Sequence, residues 1–127
     1  MKTIFTENAP APVGPYAQAI LTTNTNLLFC SGQLGIVRGQ SSLVSQDVDK
    51  QAGQIFRNIE AVIEAAGCSA ENIIKVNIFL TDLNDFAAVN KIFSDFFENH
   101  KPARSTVEVS RLPMDAKIEI ECIAETS

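Results

Sequence analysis

A chain of 127 residues, 46% hydrophobic and 20% charged, is expected to form one domain around its own core without disulfide or metal staples. A net charge of −5 sets it against phosphate backbones, and no apolar run approaches a membrane span, so nucleic acid and bilayer are both excluded as expected partners. Cys30, Cys68 and Cys122 are odd in number, widely spaced and without a CxxC pair, which argues for buried thiols rather than a disulfide framework or a zinc site.

The chain opens on a short apolar patch, Thr3 to Phe5, the first expected strand. One lysine, an early glutamate and no apolar h-region make a secretory leader unexpected, and the expected compartment is cytoplasmic. ENAPAPVGPY follows as a loop, because Pro10, Pro12 and Pro15 cannot donate to a ladder. Ala17 to Thr22 and Asn26 to Ser31 read as two strands joined through the polar TNTN. Gly32 to Ser45 is expected as a loop that turns near Arg38-Gly39. Val48, Ala52, Ile55, Ile59, Val62 and Ala66 then recur at spacings of four and three, widened by Phe56 and Ile63, which predicts a helix. Ser45 or Asp47 can cap its start, and Gly67 can end it.

Ile73 to Leu80 is a mostly β-branched strand. Asp82 or Asn84 caps a second helix with Phe86, Val89, Phe93 and Phe96 on one face, running out near Asn99. His100 at that end has no partner in sequence and is expected on the surface. Ala103 to Ser110 and Ala116 to Ala124 are the closing strands, joined by RLPMD. The predicted order is β-β-β-α-β-α-β-β, a two-layer α+β fold with a mixed sheet and both helices on one face.

Side chains alternate across a sheet, so the last two strands carry a polar face each. Arg104, Thr106 and Glu108 share one face of their strand; Glu119 and Glu121 share one face of theirs. The apolar faces are expected to meet the helices and the polar faces to lie together on the open side. Two readings of that open side remain. It is a solvated surface with weak salt bridges, or a second subunit covers it and leaves Arg104 in a partly dry cleft. In the second case the guanidinium is a bidentate clamp for a substrate carboxylate, and a nearby glutamate can pass protons to and from water.

The blocks APVGPYAQAI, FCSGQLG, NIEAVIEAAGCS, IIKVNIFLTDLNDFAAVNKIFSDFF and PARSTVEVSRLPMDAKIEIECIA together resemble the reactive intermediate deaminase (Rid, or YjgF) family over nearly the whole chain. The resemblance implies a chorismate-mutase-like fold and a homotrimer with its sheets facing inward and its sites in the clefts between subunits. It implies hydrolysis of enamines and imines, such as 2-aminoacrylate and its imine tautomer, to 2-keto acids and ammonia, with no metal or cofactor. Such substrates are released by pyridoxal-phosphate enzymes. Arg104 of PARS matches the arginine that binds the substrate carboxylate, and Glu119 of EIE the residue that activates water. Tyr16 of GPY matches a tyrosine at the mouth of the site. Ser31 and Gly32 of SGQ, and Asn90 of FAxVN, match pocket residues.

Thr106 stands where many members have cysteine; the family uses the backbone carbonyl there. Gly35 replaces a frequent proline, RGQSS replaces the usual Pro-x-Thr-Gly turn, and the segment before PARS is shortened. These departures bear on substrate preference more than on chemistry. Two other functions compete: a trimeric module that senses 2-keto acids, and a translation-inhibiting ribonuclease. The acidic charge and the lack of a histidine pair count against the second.

Overall fold

The computed structural model describes residues 1–126. Its elements are β1 (Lys2–Ile4), β2 (Ala19–Leu21), β3 (Leu27–Gln33), α1 (Val48–Ala65), β4 (Ile73–Leu80), α2 (Phe86–Phe97), β5 (Ala103–Glu108) and β6 (Ile118–Glu125), in the predicted order. Strand β3 runs two residues further than expected, through Gly32 and Gln33. Asn26 takes a positive φ of 56° in the β2–β3 turn, and Gly39 (φ 77°) and Gly67 (φ 79°) bend the chain at the places assigned to them. Asp47 stands at the N-cap of α1 without a side-chain cap bond; Ser45 Oγ accepts from the Asp47 N–H instead. Asp82 accepts from the Asn84 N–H and so starts the short turn that leads into α2.

One six-stranded sheet has the order β1-β2-β3-β6-β4-β5. The last strand therefore inserts between β3 and β4 and runs antiparallel to both. Strand β5 pairs in parallel with β4, which requires the crossover that α2 supplies. Leu28, Val76, Ile78, Leu80, Ile118 and Ile120 are buried on one face of the sheet, against Ile55, Ile59 and Ile63 of α1. Phe56 of α1 stacks on Phe96 of α2 at 4.6 Å between ring centroids and meets Phe97 edge-on, so the two helices share one aromatic seam. All three cysteines are free and buried, and Cys30 lies directly opposite Cys122 on the β3–β6 ladder. Among the described residues no helix is long and apolar enough to cross a membrane.

Two expectations are corrected. Arg104 and Thr106 do not lie on the open side of the sheet. They pair with Val76 and Ile78, whose side chains are in the core, so they share the helix-side face. Ala103, Ser105 and Val107 point the other way and are exposed. Alternation identifies the two faces of a strand but not which one faces inward, and an edge strand with valines on its outward face misleads the hydrophobic criterion. His100 is also not a free surface residue: it is half-buried, and Nε2 lies 2.6 Å from the Ile73 carbonyl, to which it donates. Strand β6 behaves as expected, with Ile118, Ile120, Cys122 and Ala124 buried and Glu119 and Glu121 on the open face.

Candidate functional site

The predicted site residues fall into two groups on opposite faces of the sheet. The first surrounds Arg104. Its Nη1 donates to Asn90 Oδ1 at 2.7 Å, and its Cζ lies 4.7 Å from the Phe93 ring centroid and 5.4 Å from that of Phe86. Phe86, Asn90 and Phe93 are spaced i, i+4, i+7, so one face of α2 presents two ring surfaces and an amide to a single guanidinium. Among the described residues no carboxylate forms an ion pair with Arg104. The cation is oriented by neutral groups and keeps donors for an anion. Thr106, two residues on and on the same face, has a buried Oγ1 without a hydrogen-bond partner, which packing alone does not explain.

The second group lines a cavity of about 680 Å³ on the other side of the sheet, with Tyr16, Ser31, Gly32 and Glu119 in its wall. Cys30 pairs with Cys122 and Gln33 with Ile120, three steps on β3 against two on β6. The extra residue is a β-bulge at Ser31–Gly32, which turns the backbone toward Glu119. A Cβ on Gly32 would lie 2.6 Å from Glu119 Oε1, so only glycine leaves room for the carboxylate. Ser31 Oγ donates to the Ala17 carbonyl at 2.6 Å, and its N–H donates to that of Gln18 at 2.9 Å, so this serine ties β3 to the N-terminal loop. Tyr16 is exposed at the rim, its Oη accepting from the Val13 N–H at 3.2 Å.

Burial, and after it the Glu121 carboxylate on the same face, push the Glu119 carboxyl above its ordinary value. A carboxyl tuned in this direction can take a proton from water and return it. The cavity beside Glu119 has no lysine, arginine or histidine in its wall. In one chain the base and the cation therefore cannot act on the same small molecule.

Three contributors were missed at the sequence level. Gln18, Pro113–Met114 and the two phenylalanines under Arg104 all belong to the walls of these groups. The helical spacing of Phe86, Asn90 and Phe93 was a usable signal for the last. Nothing in sequence distinguishes Gln18 from an ordinary strand glutamine.

Comparison with known proteins agrees with this architecture. The family model described as Endoribonuclease L-PSP matches residues 6–126. A RutC family protein of Pyrococcus horikoshii is 50% identical over 121 residues, 95% of this chain and 94% of the relative. The 2-iminobutanoate/2-iminopropanoate deaminase of Escherichia coli K12 is 49% identical over 126 residues, 97% of this chain and 96% of that one. The crystal structure of E. coli TdcF with bound serine superposes with a TM-score of 0.92 at 42% identity, covering 100% of each chain. On its sequence match and on its fold, the chain belongs to the Endoribonuclease L-PSP family, also known as the Rid or YjgF family.

Proposed function

We propose that this chain hydrolyses reactive enamines and imines of the 2-aminoacrylate type to 2-keto acids and ammonia, as a homotrimer with one site at each subunit junction. The observation that carries this reading is the separation of charge. The Glu119 cavity holds a carboxyl tuned upward but no cation, and the smaller cavity beside Arg104 holds two cations, Arg104 and Lys101, with the exposed Glu98 and the Ile73-bonded His100 in its wall but without Glu119. The tuned carboxyl and the oriented guanidinium stand apart in one chain, and a ring of copies can bring them together. The open sheet face also carries Phe29, Phe79, Val107 and Ile123 with no helix over them; Phe29 and Val107 are 44% and 45% exposed. An apolar sheet face of this kind is covered more economically by another subunit than by water.

In the assembled site Arg104 of one copy, held by Asn90, grips the substrate carboxylate. Glu119 of the neighbouring copy takes a proton from water as the oxygen attacks C2 of the imine. It returns that proton to nitrogen, and the carbinolamine collapses to a 2-keto acid with loss of ammonia. Tyr16, Ser31 and Gly32 frame the pocket, and Thr106 offers its backbone carbonyl. The deaminase name of the E. coli relative, at 49% identity, supports the reaction. Three free buried thiols support a reducing, cytoplasmic setting. A ribonuclease reading has weaker support: the single histidine is bonded to the Ile73 carbonyl and the net charge is −5.

Subunit mixing tests both claims. Arg104→Ala and Glu119→Gln homomers should each be inactive on freshly generated 2-aminoacrylate. Unfolded together and co-refolded at equal amounts, they should recover activity at about one quarter of the sites by random assembly. No recovery from mixed subunits that do assemble would end the shared-site reading. Wild-type protein that binds keto acids without turnover would favour the sensor.

A further inference from the structure

Gln51 is a polar side chain where a core residue is expected. It stands one turn before Ile55 and two before Ile59, on the stripe of α1 that packs against the sheet, and it is 0% exposed. A buried amide is tolerated only with its hydrogen bonds made. Nε2 donates to the Ser45 carbonyl at 2.9 Å, and Oε1 accepts from the Lys117 N–H at 3.0 Å. The first bond ties the helix to its own leading loop. The second crosses to the start of β6, two residues before Glu119.

The ladder around Lys117 shows what that second bond does. Strand β3 pairs with β6 as far as Gln33, opposite Ile120, and then leaves the sheet through Leu34 and Gly35. Strand β4 pairs with it as far as Leu80, opposite Ile118, and the Thr81 N–H then donates to the Lys117 carbonyl at 3.1 Å. A continuing antiparallel ladder would return a bond from the Lys117 N–H to Thr81; that N–H turns to Gln51 instead. The point where β6 enters the sheet is therefore held by a side chain of α1. The exit of β3 rests on the same residue, because a Cβ on Gly35 would lie 2.8 Å from the Gln51 Cα and 2.9 Å from its carbonyl oxygen. That exit has a further anchor in Asn58, which donates to the Leu34 and Ile36 carbonyls. Among the described residues the Lys117 N–H has no other acceptor.

Glu119 lies between the two fixed points of β6, Lys117 before it and Ile120 after it, on the face of the sheet away from α1. We propose that Gln51 is a positioning residue for the reaction: by holding the Lys117 N–H and the turn at Gly35, it sets β6 against the bulge of β3 and so seats the Glu119 carboxylate against Gly32. Gln51 touches no reacting group and acts through the backbone of β6. The proposal rests on the deaminase reading. A general base displaced by a fraction of an ångström loses rate while a carboxylate gripped elsewhere stays bound.

Three substitutions test it. Gln51→Met keeps an unbranched side chain of similar size and removes both bonds. Gln51→Asn withdraws the amide by one methylene, and it serves if the Met variant melts below the assay temperature. Gln51→Glu keeps the acceptor for Lys117 and, protonated in this buried place, the donor for Ser45. With freshly generated 2-aminoacrylate, kcat should fall by about tenfold or more in the Met and Asn variants. Calorimetric binding of pyruvate, which Arg104 grips, should change by less than about threefold, and the Glu variant should recover most of the rate.

The second readout needs no turnover. Carbon NMR of protein labelled at the glutamate carboxyls titrates Glu119, identified by the signal lost in Glu119→Gln. Loosening β6 lets water reach the carboxyl, so its midpoint should drop by about half a pH unit or more in the Met and Asn variants and return in the Glu variant. Glu121 and Lys117 on its own strand, Lys75 on β4 and Tyr16 in the cavity wall stand on that face and are common to every variant, and β3 contributes no charged side chain. An unmoved midpoint in the Met and Asn variants, or a loss of kcat matched by an equal loss of pyruvate binding, overturns the positioning role. Wild-type protein without turnover, whose Glu119 midpoint still drops in these variants, overturns the deaminase reading and leaves Gln51 as the residue that seats Glu119. Neither turnover nor movement of the midpoint overturns both.

Discussion

Gly32 and Glu119 occupy each other's space: a Cβ on the glycine would sit 2.6 Å from Oε1 and 2.9 Å from the carboxyl carbon of the glutamate. The bulge in β3 and the carboxylate on β6 are therefore one device. Gly32→Ala should displace Glu119 and lower kcat by about 10²-fold, with little loss of stability, because what must move is the end of a flexible side chain rather than backbone. Kinetics and thermal melting of Gly32→Ala, Glu119→Gln and the double variant separate position from folding. If Gly32 acts through Glu119, the second substitution adds little loss of activity to the first.

Glu119 predicts a pH dependence with a definite sign. Its carboxyl is raised by burial and then by Glu121. As a base it must be ionised, so activity should rise with pH through a limb above the ordinary carboxylate range. Glu121→Gln removes the like charge and should move that limb to lower pH, and Glu119→Gln should remove it. For folding the folded state holds this proton more tightly than the unfolded chain. The stability contributed by this group is therefore present below the unfolded value and is lost as pH rises through the raised folded one. Profiles of kcat/KM for the three proteins check the first claim. A limb unmoved in Glu121→Gln would remove Glu121 from the tuning.

Arg104 separates a fork from a generic cation. Arg104→Lys keeps the charge but loses the planar stack between Phe86 and Phe93 and the bidentate geometry. Binding of a keto acid and turnover should both fall in the Lys variant, and by about 10²-fold or more in the Ala variant. The loss of stability should stay near 1 kcal/mol, the scale of an accessible cation–π contact. Asn90→Ala should reproduce part of the loss, because it frees the guanidinium bonded to it at 2.7 Å. Full activity of the Ala variant, measured beside its melting curve, would dismiss the carboxylate clamp.

The open sheet face predicts assembly. Sedimentation at micromolar concentration should give a trimer. Val107→Glu places a new carboxylate on the exposed face that Glu119 and Glu121 already charge, and should shift the protein toward monomer. A wild-type monomer would dismiss the trimer and the shared site with it.

The cysteines carry a simpler prediction. Cys122 is buried opposite Cys30, and its thiol is held protonated far above its ordinary value by a hydrogen bond with the Cys30 thiol and then by burial. An aromatic disulfide reagent should label all three thiols in denaturant and almost none in the native protein. Rapid native labelling of Cys122 would contradict its burial.

The amino-acid sequence by itself determined the order of elements, the bounds of β4, the helical stripe of α1 and the burial of alternate residues in β6. These follow from local periodicity, which repeats every two or 3.6 residues and needs no knowledge of neighbours. It also exposed Arg104 and Glu119 as polar residues in strands that are otherwise half apolar. Tertiary structure decided that the two do not share a face. Register against Val76 turns Arg104 toward α2, and register against Phe79 turns Glu119 away. Gln18 and Met114, whose backbone is left-handed (φ 61°), likewise became wall elements only once distant segments had met. Alternation sets which residues of a strand go together, whereas pairing with another strand sets where they point, and that pairing is long-range.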